Sequence, residues 1–272
     1  MNNENIEFLS NNVKYLGFEE KVSKDMTDQI SQGKNEFSIG TNHAHFANSV
    51  DYNLHFKKSE QTDRYFLNRY DATLKNGNPE EDRSQTFYIK NSKGITAKEA
   101  FNLLEGRFVY KEMLNKEQEK YHARLKLDFD KKDDKDNHKY IRYSDSYGYK
   151  LEDTLAKVPI REMQDAQQKA NLIKSLDRGN LQQVQIDTEQ NPGKYYITPD
   201  PVKGLRIFNE RMQPVEHKNL GLNLHFKKQQ SEKKAETVKE QQSPKQTKRQ
   251  SQKATEGETG KKQSKGQKMK AA

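Results

Sequence analysis

Three glycines, Gly33, Gly106 and Gly179, stand 73 residues apart, and an apolar residue precedes each by three positions: Ile30, Leu103 and Leu176. The same shift lays Leu54-His55-Phe56 on Leu127-Asp128-Phe129, Asp63 on Asp136, and Arg69-Tyr70 on Arg142-Tyr143. Such spacing marks an internal repeat, in which a supersecondary unit too small to bury its own apolar face is completed by neighbours of the same kind. Each glycine reads as the left-handed residue that ends a helix, and strand patterns follow it. The expected fold class is α+β, a tandem repeat of a helix followed by antiparallel strands with a period of about 73 residues.

The units divide as follows. Ile6, Leu9, Val13 and Leu16 recur at helical spacing before Gly17, so residues 1–18 form an N-terminal helix. Residues 19–93 are unit 1, with a helix over 19–32 and strands opening at 36, alternating through 50–56, and again over 63–74, with a further strand near 86–90. Residues 94–159 are unit 2. Thr96 and Glu99 make a capping-box pattern behind Ile95 for a helix over 97–105, and strands over 107–113, 121–129 and 140–144 lead to a short helix over 151–157. Residues 160–228 are an abbreviated unit 3, with a helix over 160–176 and strands over 181–187, 194–198 and 205–208, where Pro199 and Pro201 break the pattern. The hexapeptide Asn53–Lys58 recurs at Asn223–Lys228 outside the phase and reads as a closing strand.

Hydrophobic residues make up 31% of the chain and charged residues 33%, so the core must be lean. With no cysteine there is neither a disulfide nor a thiolate metal site. The N-terminus lacks the basic and apolar regions of a signal peptide, and no stretch has the length of a membrane span, so a cytoplasmic location and no membrane partner are expected. Of the net charge of +9, residues 229–272 carry +7, from twelve Lys or Arg and five Glu. That segment has no Leu, Ile, Phe, Tyr or Trp to offset the entropy of ordering it, and it reads as a disordered basic tail. Such a tail either contacts polyanions, with Lys245, Lys248, Arg249, Lys261 and Lys262 as candidate residues, or keeps the chain in solution.

Chemistry-bearing patterns are few. Asp128, Asp130, Asp133, Asp134 and Asp136 follow a strand, where some metal enzymes place their ligands. However, Lys131, Lys132 and Lys135 interleave with them, and His55 and Lys57 stand at the positions equivalent to Asp128 and Asp130, so a charged hairpin turn is expected. His43 and His45 share one side of a strand, with His55 as a possible neighbour, but no carboxylate or thiolate at matching spacing completes a metal set. No nucleophile elbow or phosphate loop is present. No catalytic residue, metal or cofactor is expected. Arg69-Tyr70 and Arg142-Tyr143 remain: strand alternation turns both tyrosines inward, Tyr70 with Phe66 and Leu74, Tyr143 with Ile141. It turns Arg69 and Arg142 outward beside Tyr65 and Tyr140, as candidate nucleic-acid contacts.

Residues 94 to about 216 resemble a family of unknown function carried by bacterial conjugative transposons. The matching lines are Gly94-Ile-Thr-Ala-Lys-Glu-Ala-Phe-Asn-Leu-Leu-Glu-Gly-Arg-Phe-Val-Tyr-Lys111, Leu127-Asp-Phe129, Tyr147-Gly-Tyr-Lys-Leu-Glu152, Pro159-Ile-Arg-Glu162 and Lys174-Ser-Leu-Asp-Arg-Gly-Asn180. The resemblance implies a setting, mobile-element biology near DNA-processing genes, and no catalytic residue. The functional expectation is a non-enzymatic accessory protein of a mobile element that binds nucleic acid or a nucleoprotein partner. The alternatives are a protein-interaction scaffold with a solubilising tail and, third, a metal-dependent enzyme.

Overall fold

A computed structural model of the chain describes residues 2–45, 48–90 and 93–224. The basic tail lies outside the described residues, with its candidate contacts Lys245, Lys248, Arg249, Lys261 and Lys262. Asn223 and Leu224, the described part of the second hexapeptide, form no strand.

Helix α1 (Asn3–Tyr15) starts where the Asn2 side chain accepts from the Asn5 amide, and Gly17 at φ +87° ends it. Helix α2 (Glu20–Ser31) buries Val22, Met26 and Ile30 as one stripe. A four-stranded antiparallel meander follows in the order β1-β2-β3-β4, from Glu36–His45, Asn48–Lys58, Tyr65–Lys75 and Arg83–Tyr88. Helix α3 (Ala97–Leu104) carries the expected capping box between Thr96 and Glu99 and leads into a three-stranded meander, β5 (Val109–Leu114), β6 (Lys120–Lys132) and β7 (His138–Ser144). After the short α4 (Leu151–Leu155), helix α5 (Ala166–Asp177) precedes the third sheet. Its strands are β8 (Gln182–Ile186), β9 (Gly193–Asp200), β10 (Gly204–Phe208) and β11 (Pro214–Val215), again neighbours in chain order. The fold is thus α+β with antiparallel sheets. Ser31, Leu104 and Asp177 close α2, α3 and α5, and Glu36, Val109 and Gln182 open the first strand of each sheet; both sets stand 73 residues apart.

Two apolar cores form. The first joins α1, α2 and α3 to the inner face of the β1–β4 sheet and to Val109, Ala123, Leu125 and Leu127 of the second. The buried Tyr52 and Tyr70 hydroxyls donate to the carbonyls of Ala97 and Ile95, at 2.8 and 2.6 Å, which fixes the entry to α3. Asn5, itself buried, meets both backbone groups of Tyr65: its Nδ2 donates to the carbonyl at 3.1 Å and its Oδ1 accepts from the amide at 2.7 Å. The second core gathers Leu151 and Leu155 of α4, Leu172 and Leu176 of α5, and Val184, Ile197 and Ile207 of the third sheet. Arg124 of β6 reaches toward that side, where Nη2 meets Asp177 Oδ1 at 2.6 Å and the guanidinium lies 4.9 and 5.2 Å from the ring centres of Tyr110 and Tyr149.

Three local expectations need correction. The helix expected over 160–176 begins only at Ala166, because Asp165 caps it by accepting from the Gln168 amide, while Ile160 forms an isolated bridge to Ile186 and Arg161–Gln164 is a separate 3-10 turn. Pro199 does not break its strand. It lies within β9 opposite Leu205. In β3, a bulge opposite His55 and Phe56 inserts Asn68, so the inward face changes phase. Tyr65 and Leu67 are buried on one side of the bulge, Tyr70, Ala72 and Leu74 on the other, and Phe66, expected inward, is 46% exposed.

Candidate nucleic-acid interface

The bulge assembles an aromatic and basic outer face on the first sheet. Arg69 stands opposite His55 of β2 and Tyr88 of β4, and the next outward pair beyond the bulge is Phe66 opposite Lys57. Tyr88 is 41% exposed. Lys57 and Arg69 are also exposed, and among the described residues neither has a carboxylate within 4.0 Å. Lys135, from the turn between β6 and β7, brings Nζ to 3.4 Å from the Tyr88 hydroxyl and 5.3 Å from its ring centre. One acid of this face is already engaged: Asp71 meets His55 Nε2 at 2.6 Å and accepts from the Thr86 hydroxyl at 2.6 Å. The face thus offers a ligand the rings of Phe66 and Tyr88 with Lys57, Arg69 and Lys135 around them, while the exposed Glu36 stands opposite Lys57 in the β1–β2 ladder; aromatic faces beside cations stack unpaired bases and hold their phosphates.

Arg69 occupies the outward position expected of it. Arg142 does not. Leu54 pairs with Tyr70, but Leu127 pairs with Tyr140 and Leu125 with Arg142, a slip of three residues relative to the 73-residue shift. An odd slip exchanges the two faces of a strand. Arg142 and Tyr140 therefore lie on the face of the first core, where burial lowers the Arg142 pKa. Tyr143 turns to the opposite face against Phe108 and Tyr147, with ring centres 5.7 and 4.7 Å away. Gly33, Gly106 and Gly179 each directly follow the last residue capping a helix, with φ of +71°, +72° and +81°.

The aspartates after β6 build a turn. Asp133 Oδ1 accepts from the amides of Lys135 and Asn137, both at 2.9 Å, and Asp136 and Asp128 pair with Lys132 and Lys131 at 2.8 and 3.4 Å. Among the described residues no group of three or more His, Cys, Asp or Glu is placed to hold a metal. His43 and His45 point to the side of the first core, whereas His55 lies on the outer face, so the three do not converge. Sequence reading missed Phe66, Tyr88, Lys57 and Lys135. One signal was available for Tyr88: in the adjacent aromatics Phe87-Tyr88 of a strand, one ring must face outward.

No protein-family model, curated protein or solved structure gives a significant match to the chain. Among the described residues no helix is long and apolar enough to cross a membrane.

Proposed function

We propose that the chain is a non-enzymatic nucleic-acid-binding accessory protein that takes single strands across the outer face of its first sheet. Bases stack on Phe66 and Tyr88, and Arg69, Lys57 and Lys135 hold phosphates beside them. The observation that carries this reading is the rung formed by Tyr88 and Arg69, an exposed ring beside an exposed guanidinium that has no carboxylate within 4.0 Å among the described residues. Exposed aromatics on an antiparallel sheet offer a π-face to any base, so the expected binding is tolerant of sequence. The +7 carried by residues 229–272 adds polyanion attraction of the same sign. The mobile-element setting comes from the resemblance over residues 94–216. The 73-residue spacing of helix ends and strand starts supports reading the three helix-and-meander segments as copies of one unit that has since diverged in register.

Fluorescence anisotropy with a labelled single-stranded oligonucleotide, at two salt concentrations, tests the reading. Replacing Tyr88 by Ala is expected to cost about 1–3 kcal/mol of binding, the worth of one stacked base, with the thermal midpoint unchanged because the ring is exposed. If neither single nor double strands bind the full chain at low salt, the proposal fails and a protein-interaction scaffold takes its place.

A further inference from the structure

A second cluster lies on the inner side of the first sheet and is independent of Tyr88. The ring of Phe101, in α3, is stacked by His45 with ring centres 3.9 Å apart and planes at 18°. Lys98 Nζ stands 4.6 Å from the same ring centre, and the Arg107 guanidinium carbon 5.0 Å from it. Three nitrogen-bearing side chains therefore converge on one ring, with the Glu105 carboxylate 3.7 Å from one of them, Arg107.

The compensation is incomplete. Arg107 Nη2 donates to Asn102 Oδ1 at 2.7 Å, but Glu105 stands 3.7 Å from Nη1, too far for a hydrogen bond, and that carboxylate already accepts from Asn48 Nδ2 at 2.7 Å. Among the described residues Arg107 Nε and His45 Nε2 are buried without a partner, and Lys98 has no carboxylate within 4.0 Å. Burial first, then the Arg107 charge, pulls the Lys98 pKa down, and burial holds Arg107 to about 10, in both cases against the upward pull of Glu105. His45 is held to about 4 by burial, with Lys98, His43 and Arg107 adding to it. Two cations thus stand beside a single carboxylate, Glu105, with a buried guanidinium donor left over, an arrangement with room for a second anion.

We propose that Lys98 and Arg107 form a binding site for a phosphate group beside the Phe101 ring, with His45 packed behind it. Lys98 is exposed and the Arg107 side chain retains 12% exposure, so a ligand reaches them from solvent. The Arg107 guanidinium offers its Nη1 donors, since Nε is buried and Nη2 is held by Asn102, and the ammonium supplies a movable point charge. The phosphate comes either as a free anion or as the terminal phosphate of a nucleic acid, and both present the same oxygens.

Calorimetric titration of the full chain at fixed ionic strength distinguishes these sources, with inorganic phosphate, a 5′-phosphorylated dinucleotide and its 5′-hydroxyl counterpart as probes. Lys98→Ala is expected to weaken binding of the phosphate-bearing probe by about tenfold or more, the loss of one charge-assisted bond. Arg107→Lys, which keeps the charge and loses the planar Nη donors, is expected to weaken it to a lesser degree. Lys34→Ala, on an exposed lysine whose Nζ donates to Gln29 Oε1, should change nothing, and thermal melts of each variant confirm that it is folded. Lys98-dependent binding of inorganic phosphate supports the site as one for a free anion. Lys98-dependent binding of the 5′-phosphorylated probe alone supports it as one for a nucleic-acid end. Absence of binding by any phosphate-bearing probe at millimolar concentration, or binding indifferent to Lys98→Ala, overturns the proposal. Loss of oligonucleotide binding in Tyr88→Ala leaves the phosphate titration untouched, so the two sites fail separately.

Discussion

Gly179 packs against the backbone of Phe108 so closely that a Cβ at the glycine would lie 2.8 Å from the Phe108 carbonyl oxygen. Helix α5 thereby ends directly on the chain that leads into β5, and Asn102 Nδ2 strengthens the junction by donating to the Arg178 carbonyl at 2.7 Å.

The three helix-ending glycines should therefore respond differently to alanine. At Gly33 nothing lies within 4 Å, so Gly33→Ala is expected to cost only the left-handed backbone penalty, about 1–2 kcal/mol. Gly106→Ala adds a 3.2 Å approach to the Phe129 ring, which has some room to shift. Gly179→Ala meets backbone and should be the most destabilising of the three. Urea denaturation gives the order directly, and a Gly179→Ala variant as stable as Gly33→Ala would show that the junction is not tight.

Acid should weaken the fold before the carboxylates titrate. Burial, as the largest cause, lowers the pKa values of His43, His45 and His138 below the ordinary 6.5, that of His45 to about 4. As pH falls through 6.5 the unfolded chain takes up protons that the folded chain refuses, so stability is fully present above 6.5 and is lost progressively toward pH 4. Thermal midpoints measured between pH 7 and 5 should fall, and His45→Leu should make the fall shallower. A flat profile in wild type would contradict the burial of these rings.

Arg124 and Asp177 should show strong coupling. The Arg124 side chain is 6% exposed, and Asp177, 30% exposed, is its acidic partner. Asp177→Ala leaves a buried guanidinium without its carboxylate and is expected to cost about 3 kcal/mol, whereas Arg124→Met in the same background should recover part of the loss. Additive losses in a double-mutant cycle would mean that the pair is not coupled.

The tail should set the salt dependence of nucleic-acid binding. Its twelve basic and five acidic residues can engage roughly four to six phosphates, a slope of about −3 to −4 in log K against log salt on a single strand. Deleting residues 229–272 should remove most of that slope and leave the thermal midpoint in place. A slope that survives deletion would shift the electrostatic role to Arg69, Lys57 and Lys135.

Local signals carried most of the element map. Gly17, Gly33, Gly106 and Gly179 marked helix ends because positive φ disfavours residues with a Cβ for reasons internal to the backbone. The Thr96 and Glu99 box marked a helix start for an equally local reason. The candidate site was less legible. Phe66 and Tyr65 exchanged faces at Asn68, and Arg142 exchanged faces with Tyr143, because bulge and register are decided by the partner strand and not by alternation along one strand. The single outward arginine that survived, Arg69, lies beyond the bulge in the stretch where alternation runs uninterrupted to Leu74.

Strand β6 is the element on which both halves of the molecule depend. Leu125 and Leu127 face the first core, and Arg124 turns to α5 and Tyr149 on the other side. The first core cannot open without exposing that strand, so its amides should be among the slowest of the described residues to exchange with deuterium. Loss of the first core then reaches α5 and Tyr149 through Arg124, so the two cores should unfold together rather than piece by piece.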